Sequence, residues 1–412
     1  MLSASMALGA LAIDMMLPSF REIRADLGLA PGASSVAGLV TIFLFGMALG
    51  QIPAGFLTDR FGRRVVLRGA MVVMVICSVL AALAPTLTLM LAVRLVWGMC
   101  AGAIRVVLMA SVRDTFSGAA MAREMSFVMA TFLLVPILAP SLGAAIVAVA
   151  NWRAVFFTCT GAAALILTWI SFRFPETLPT ERRRPISFTS VAAAARAMGK
   201  SRRTMWLLVS NCVLMGAFSG YISGSSQIFD EVFNKREAFP IIFGAMAAVM
   251  STGIIANGKA VMRLGLKRLV NFLSRTYFVG STVMLVLALA TNGKPPLWLY
   301  LVILALTISS HNTLLNNSNS SALEPLGAIA GTAAAVLGST SMAVGSILGT
   351  ITANRFDGTI TPLALSFSLA AVFSMIAVAL AYRAPATPAF DTPVTAPVTT
   401  PDPAATLLTL VD

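Results

Sequence analysis

The chain has 412 residues, of which 58% are hydrophobic and only 11% are charged, and its formal net charge is +13. The mean hydropathy of +0.88 implies more apolar surface than a soluble core can bury, so the composition excludes a soluble globular protein. Nucleic-acid binding is excluded as well, because the basic residues lie in short segments between apolar runs rather than on one folded face.

The apolar runs predict twelve membrane-spanning helices. A helix needs about 20 mostly apolar residues to cross the hydrocarbon core, and an open strand or loop would leave backbone polar groups unpaired in lipid. Numbered as spans 1 to 12, the runs cover residues 1–18, 35–57, 65–84, 88–111, 124–148, 154–172, 204–226, 239–258, 269–290, 297–317, 328–351 and 362–382. The four cysteines all lie inside these runs and are expected to be packing residues.

Span 1 begins at the first residue of the sequence. Its stretch "MLSASMALGALAIDMMLP" has the apolar character of a signal sequence, but it lacks a basic start, and Asp14 interrupts it before any cleavage site. We predict a first span that has almost no cytosolic tail, and we expect the native start to lie upstream.

The loop between spans 2 and 3 concentrates charge in a chain that is otherwise apolar. Its candidate gating residues are Gly55, Asp59, Arg60, Gly62, Arg63 and Arg64. The glycines permit close helix approach and a tight turn. Asp59 lies near the start of span 3, where the helix dipole favours an anion, and it could bridge to arginines and to the second half of the chain. Ionic contacts from this loop to the second half of the chain would form in one state and break in another. Solvated positive loop charge explains part of the same pattern.

Four ionisable residues lie within spans, namely Asp14, Arg94, Arg105 and His311, and such residues are expensive in lipid unless they serve a function. Asp14 and Arg94 lie at similar depths in the outer parts of spans 1 and 4. If both face a cavity, Arg94 could hold Asp14 ionised until a conformational change or a substrate releases it to take a proton. The alternative is that Asp14 ends span 1 with its carboxylate in interfacial water.

Arg105 and His311 each allow two interpretations. Arg105 lies in the inner half of span 4, where it could attract an anionic substrate or repel protons, or could extend to the interface or bond to carbonyls of a neighbouring span. His311 opens the polar run "SSHNTLLNNSNSS" in span 10. It could relay protons, because histidine titrates near neutral pH, or could be a hydrogen-bonded group at a hydrated helix end.

Span 5 contains a candidate hinge at Pro136, Pro140 and Gly143. The prolines remove backbone donors and bend the helix, while the glycine lets a neighbouring helix pack closely. A kink that serves packing alone is the alternative interpretation.

A candidate substrate cavity is assigned to apolar and polar side chains in several spans. These are Met15, Met16, Trp97, Arg105, Tyr221, Gln227 and His311, a set suited to varied apolar ligands. The alternative is that they contact lipid or neighbouring helices.

The segment 173–203 differs from its surroundings and predicts a boundary. "RFPETLPTERRRPISF" carries charge and three prolines, and "AAAARAMGKSRR" has the pattern of a short basic amphipathic helix. We predict an N-terminal bundle at 1–172, a cytoplasmic linker at 173–203, a C-terminal bundle at 204–383 and a disordered cytoplasmic tail at 384–412. "RLGLKR" at 263–268 repeats "RFGRR" of 60–64 about half a chain later, which indicates parallel six-span repeats.

The distribution of basic residues predicts the orientation. Of the 29 Lys and Arg residues, 20 lie on the side that carries the span 2–3 loop and the linker, whereas 7 lie on the other side. Positive loops stay in the cytoplasm. This bias predicts that both termini are cytoplasmic.

The loop "GFLTDRFGRRVVL" resembles the signature of the major facilitator superfamily, and further motifs resemble its twelve-span drug:proton antiporter family, nearest the bicyclomycin and chloramphenicol resistance branch. These motifs are "AIDMMLPSF", "RLVWGMCAG", "VRDTF", "VPILAPSLGAAI", "NWRAVF", "FPETLP" and "AGTAAAVLGSTSMAVGSILGT". The resemblance runs from about residue 9 to 382. It implies an all-α major facilitator fold of two pseudo-symmetric six-helix bundles, in which Asp14 and Arg94 are coupling groups and span 5 seals or hinges the cavity.

An enzyme is not expected, because one histidine supports no Ser/His/Asp set, and no P-loop is present to bind ATP. The sequence therefore predicts a proton-coupled exporter of small, mostly apolar drugs or toxic compounds in a bacterial cytoplasmic membrane. Its expected partners are substrate, protons and lipid, with no metal or other cofactor, and we expect a monomer. The alternatives are an exporter of a metabolite such as an amino acid or sugar, and a non-transporting receptor or scaffold.

Overall fold

The computed structural model describes residues 1–30, 34–183 and 189–383, and these ranges are helical with no β-strand. A helix pairs its backbone N–H and C=O groups within one segment, which is why long apolar runs adopt it in lipid. In chain order the helices are α1 (Leu2–Asp14), α2 (Phe20–Asp26), α3 (Gly38–Phe61), α4 (Arg63–Ala82), α5 (Leu87–Thr115), α6 (Gly118–Val149), α7 (Trp152–Arg173), α8 (Thr189–Lys200), α9 (Arg202–Gln227), α10 (Phe239–Leu264), α11 (Leu266–Ala290), α12 (Leu297–Leu323), α13 (Ala330–Asn354) and α14 (Thr361–Arg383).

The described ranges contain eleven helical segments that are long and apolar enough to cross a membrane. The remaining predicted span, span 5, corresponds to α6, whose apolar part is Leu134–Val149. Large hydrophobic side chains such as Leu165, Phe172 and Trp298 are exposed on the surface of the helices, where lipid would cover them. The chain is a multi-pass membrane protein, and its predicted all-α membrane fold is confirmed.

Span 1 is longer than its apolar run, which predicts an end at residue 18. After α1, a 3₁₀ turn at Leu17–Ser19 holds Pro18, and α2 completes the span at Asp26. Proline is tolerated there because the first turn of a helix leaves its N–H groups unpaired anyway. The predicted boundary is therefore wrong, and Asp14 lies inside the span rather than at its end.

The first half, α1 to α7, is held together by a glycine contact between α3 and α5. Gly46 and Gly50 of α3 face α5, while Gly98 and Gly102 of α5 face α3. A Cβ on any of the four would lie 2.1 to 2.3 Å from a backbone carbonyl oxygen of the other helix. Only residues without a side chain allow this approach, which is the usual way that membrane helices pack tightly.

The second half, α9 to α14, adds side-chain hydrogen bonds between its helices. Asn257 of α10 and Asn317 of α12 exchange amide hydrogen bonds of 3.0 and 2.8 Å. Ser210 of α9 and Ser374 of α14 share a hydrogen bond of 2.7 Å. Polar side chains at such positions join helices because lipid offers no other partner.

The two halves repeat the same helix junction. Gly62 separates α3 from α4 with φ +93°, and Gly265 separates α10 from α11 with φ +76°. Both backbone conformations favour glycine because an L side chain rarely adopts them. The predicted internal repeat of the two loop sequences is confirmed at this junction.

The bundle has two ends that differ in what they carry. The chain passes from α7 to α9 at the end that also carries Gly62 and α8, and we call this the linker end; the other, which carries α2 and the turn between α9 and α10, is the distal end. The predicted amphipathic helix of the linker is α8. The halves meet along α3 with α13 and along α6 with α10. The predicted tail, 384–412, lies outside the described residues.

Candidate functional site

A cavity of about 350 Å³ lies between the two halves. Its wall takes residues from α1, α3, α4, α5 and α6 of the first half and from α9, α10, α12 and α13 of the second. Met6, Met47, Phe218, Phe243 and Met250 contribute to a largely apolar lining. Methionine and aromatic side chains of this kind adapt to ligands of different shapes.

Asp14 and Arg105 are the acidic and basic side chains that the described residues contribute to this wall. Asp14 ends α1 and is 5% exposed. No described residue forms an ion pair or a side-chain hydrogen bond with its carboxyl group. The alternative that Asp14 lies in interfacial water is therefore wrong, because the carboxyl is enclosed between the two halves.

Arg94 does not form the predicted ion pair with Asp14. It is fully buried in α5, its Nε donates to the Leu39 carbonyl at 3.1 Å and a terminal nitrogen donates to the Ala12 carbonyl at 2.9 Å. Ala12 precedes Asp14 by two residues. Arg94 thus fixes the backbone of α1 beside Asp14 instead of neutralising its carboxylate.

The predicted cavity set is only partly correct. Arg105 and Tyr221 line the wall, whereas five others are buried in helix packing and lie outside it: Met15, Met16, Trp97, Gln227 and His311. The Trp97 ring, for example, meets the rings of Phe43 and Phe156 edge-on, each at a centroid distance of 6.2 Å. These five side chains are apolar or bulky enough to pack between helices. The sequence alone does not distinguish such residues from residues that line a cavity.

His311 is enclosed by aromatic rings and is not at a hydrated helix end. It is fully buried, and its ring lies 5.9, 4.9 and 5.7 Å from the ring centroids of Phe218, Tyr277 and Phe367. Asn316 and Asn319, later in the same polar run, reach the cavity instead. Their spacing of three residues on one helix face was the signal that could have identified them.

Among the described residues, three ion pairs at the distal end join the two halves. These pairs are Arg24 with Glu231 at 2.8 Å, Arg21 with Asp230 at 3.9 Å, and Arg236 with Glu22. Sequence reasoning missed all three because each joins residues more than 200 positions apart. They close the distal end of the cleft.

At the linker end, the candidate gating loop makes its contacts within the first half. Arg63 is 7% exposed and binds two carboxylates, Asp59 at 2.7 Å and Asp114 at 2.9 Å. Within the described residues, no ion pair joins this loop to the second half. The predicted bridge from Asp59 to the second half is therefore absent from this conformation.

Glu176, just after α7, occupies the position at the start of α4 that the sequence assigned to Asp59. Its carboxylate accepts the backbone N–H groups of Arg63 at 2.8 Å and Arg64 at 3.2 Å, where the helix dipole favours an anion. A Cβ on Gly62 would lie 2.4 Å from a carboxylate oxygen of Glu176. The tight turn predicted for Gly62 is confirmed, and it also makes room for the carboxylate.

The remaining loop residues behave differently from the prediction. Within the described part of the chain, no other helix comes within 4 Å of a Cβ built on Gly55, so the close helix approach predicted there is wrong. Arg60 is stacked over the Phe61 ring, 5.4 Å from its centroid. Arg64 donates to the Ser171 carbonyl at 3.0 Å, which ties α4 to α7.

The candidate hinge in α6 combines a cavity contact with a very close helix contact. Pro136 lines the cavity, and both Pro136 and Pro140 lie inside one helix. A Cβ on Gly143 would lie 1.9 Å from the Met15 carbonyl oxygen. The close approach predicted for Gly143 is confirmed; hinge motion stays a prediction.

The sequence profile of the Major Facilitator Superfamily matches residues 2–350. The chain belongs to the major facilitator superfamily. Among its relatives is the uncharacterized MFS-type transporter YdgK of Bacillus subtilis (strain 168), 30% identical over 83% of this chain and 84% of the relative. A bicyclomycin resistance protein homolog of Haemophilus influenzae is 26% identical over 89% of this chain and 91% of the relative. The multidrug resistance protein MdtL of Klebsiella pneumoniae (strain 342) is 27% identical over 79% and 80%.

Solved structures show the same superfamily fold. The D-xylose–proton symporter aligns with a TM-score of 0.75 over 93% of this chain and 97% of that chain, at 15% identity. The superfamily consists of transporters, so this chain is a transporter and not an enzyme. Within the described ranges, no group of three or more His, Cys, Asp or Glu side chains could hold a metal ion.

Proposed function

We propose that this transporter exports small, mostly apolar drugs or toxic compounds by exchange for protons. The observation that carries the proposal is Asp14, an acidic side chain without a cationic partner among the described residues, in the wall of a cavity between two bundles. The names of the bicyclomycin resistance homolog and of MdtL support the substrate class. The methionine-rich and aromatic lining supports it too.

We further propose a bacterial cytoplasmic membrane, with the linker end and both termini in the cytoplasm. The excess of Lys and Arg on that side supports the orientation. With this orientation, the three ion pairs of the distal end close the cavity to the outside. We propose a monomer with one bundle at 1–172 and a second at 204–383, joined by the linker 173–203. The two bundles would move relative to each other and expose the cavity to each side of the membrane in turn.

In this mechanism Asp14 carries the proton and Arg94 positions it. An unpaired carboxylate in an apolar wall is expensive, and binding a proton removes that cost. Arg94 holds the α1 backbone through the Ala12 carbonyl, so a shift of α5 against α1 would change the surroundings of Asp14. Pro136, Pro140 and Gly143 would allow α6 to bend as the halves move.

The test is Asp14→Asn in proteoliposomes that contain purified protein and an internal pH indicator. Chloramphenicol and bicyclomycin are the probes, chosen because growth assays in cells lacking their own pumps can be run in parallel. We expect folded protein that no longer moves protons when a probe is added. Asp357→Asn is the matched control, because this exposed carboxyl lies in the turn before α14, and it should leave proton movement unchanged. Full export against a gradient by Asp14→Asn would reject the proposal.

A further inference from the structure

We propose that Arg105, with Asn316 and Asn319, forms a subsite for the carboxylate group of an otherwise apolar substrate. This inference rests on the proposed function, because it names a substrate class for the same cavity. The site lies on the wall formed by α5 and α12, apart from the carboxyl of Asp14.

The first support is that Arg105 has no hydrogen-bond or ion-pair partner among the described residues. Its side chain lines the cavity and is exposed to it. By contrast, each buried arginine has an oxygen partner within 2.9 Å: Arg24, Arg63 and Arg94. The sequence-based alternative that Arg105 bonds to neighbouring carbonyls is therefore not realised among the described residues. A cation left open in a membrane cavity is available to an anionic ligand.

The second support is the pair of asparagines on α12. Asn316 and Asn319 are three residues apart, so they lie on the same face of the helix, and both line the cavity. The Asn319 amide oxygen accepts a hydrogen bond of 2.9 Å from Asn211, which leaves its amide nitrogen as a donor. Asn316 is exposed and has no side-chain hydrogen bond to a described residue. Amide donors that line the same cavity as a guanidinium suit a carboxylate, which only accepts hydrogen bonds.

The third support is the separation of Arg105 from the proposed proton site. Arg94 marks the level of Asp14, because it binds the Ala12 carbonyl. Arg105 follows Arg94 by eleven residues in α5, which is roughly 16 Å along the helix axis. Asp14 therefore does not neutralise Arg105, and a carboxylate and a proton would bind at different places in one cavity.

Much of the remaining cavity wall is apolar. Ile104, Met215 and Phe218 belong to the wall, as do Met6 and Met47. An aromatic or aliphatic body would cover these side chains while its carboxylate contacts Arg105. The subsite thus favours compounds with one anionic group at the edge of an apolar skeleton over purely cationic compounds.

The experiment measures binding to the purified protein by calorimetry, with no membrane and no gradient. The probes are three aromatic carboxylates, 2-naphthoate, nalidixate and naproxen, each paired with its neutral primary carboxamide. We expect at least one carboxylate to bind roughly tenfold or more tightly than its amide, the effect of one charge-assisted hydrogen-bond pair. Arg105→Met should abolish this preference, Arg105→Lys should keep part of it, and Asp357→Asn, at an exposed position outside the cavity, should keep all of it.

Equal binding of all three acids and their amides would overturn the proposal, and so would a preference that survives Arg105→Met. Thermal unfolding checks that each variant is folded. If Arg105→Met does not fold, the two single variants Arg105→Gln and Asn316→Ala provide the second test. An unchanged preference for the carboxylate in both variants contradicts the subsite. A protein that prefers carboxylates but moves no protons contradicts the proposed function alone. A protein that exports probes but binds both forms equally contradicts this subsite alone.

Discussion

The distal and linker ends of the transporter both use buried arginines, but in different ways. At the distal end Arg24 binds Glu231 of the other half, whereas at the linker end Arg63 binds Asp59 and Asp114 of its own half. A pair that joins the halves stabilises one conformation against another. A pair within one half stabilises that bundle in every conformation. The Arg24 pair at the distal end therefore biases the conformation, whereas the Arg63 pairs at the linker end stabilise the fold of the first half.

Burial decides which of these ion pairs matters energetically. Arg24 and Arg63 are each 7% exposed, so the loss of one partner leaves a poorly solvated charge. The side chain of Arg21 is 65% exposed and lies 3.9 Å from Asp230. Exposed pairs of this kind contribute little to stability. Substitutions at Arg24 and Arg63 should therefore have larger effects than substitutions at Arg21.

The largest effect is expected for Arg63→Met at the linker end. The substitution removes two charge-assisted hydrogen bonds, and because the side chains of Asp59 and Asp114 are 50% and 24% exposed, the expected loss is about 2–3 kcal/mol. We expect a lower melting temperature of the purified protein and a loss of export. Thermal unfolding in detergent measures the first effect, and drug resistance of pump-deficient cells measures the second.

Arg60→Met is the matched control for Arg63→Met. It lies in the same loop, but its guanidinium has no ion pair among the described residues and stacks over the neighbouring Phe61 ring. Its effect on the free energy of unfolding should stay within about 0.5 kcal/mol. If Arg60→Met destabilises as much as Arg63→Met, the loop acts through its total charge and not through the Arg63 contacts.

The next effect is expected for Arg24→Gln at the distal end. Loss of a contact between the halves should shift the equilibrium between conformations by about 1–3 kcal/mol, with a smaller change in unfolding. Spin labels at Ala25→Cys and Lys235→Cys, one in each half, would report longer distances. The exchanged pair Arg24→Glu with Glu231→Arg should restore the short distance.

Arg153→Gln is the matched control at the same end. Arg153 binds Asp26 at 2.6 Å, but both residues belong to the first half. The label distances should therefore not change. An equal opening in Arg153→Gln would mean that general charge at the distal end, and not contacts between the halves, keeps it closed.

The smallest effect is expected for Glu176→Gln. The amide keeps the shape but removes the charge that faces the N–H groups at the start of α4, so the loss should be about 1 kcal/mol. Chemical or thermal unfolding of the purified protein measures it. Glu181→Gln, an exposed carboxyl in the same segment, should leave stability unchanged. Equal losses in both variants would exclude a specific role for Glu176.

The sequence predicted the helices well because hydropathy and length determine a span residue by residue. It predicted the tight turn at Gly62 for a similar local reason, since the glycine separates two apolar runs. Glu176 was missed because its partners are more than 100 positions away and no local pattern marks them. Trp97 was wrongly assigned to the cavity, because the sequence does not distinguish an aromatic side chain that packs between helices from one that lines a cavity.

Arg94 differs from the other buried arginines in its acceptors, and this difference determines which mutations could compensate for its loss. Its acceptors are the main-chain carbonyls of residues 12 and 39, and every amino acid supplies such a carbonyl. Substitutions at those two codons should therefore leave these acceptors in place, and none of them could rescue a lost guanidinium. A screen for second-site suppressors should recover charge exchanges for Arg24 and Glu231 but none at positions 12 or 39 for Arg94. The contact would then depend on the codon for Arg94 alone.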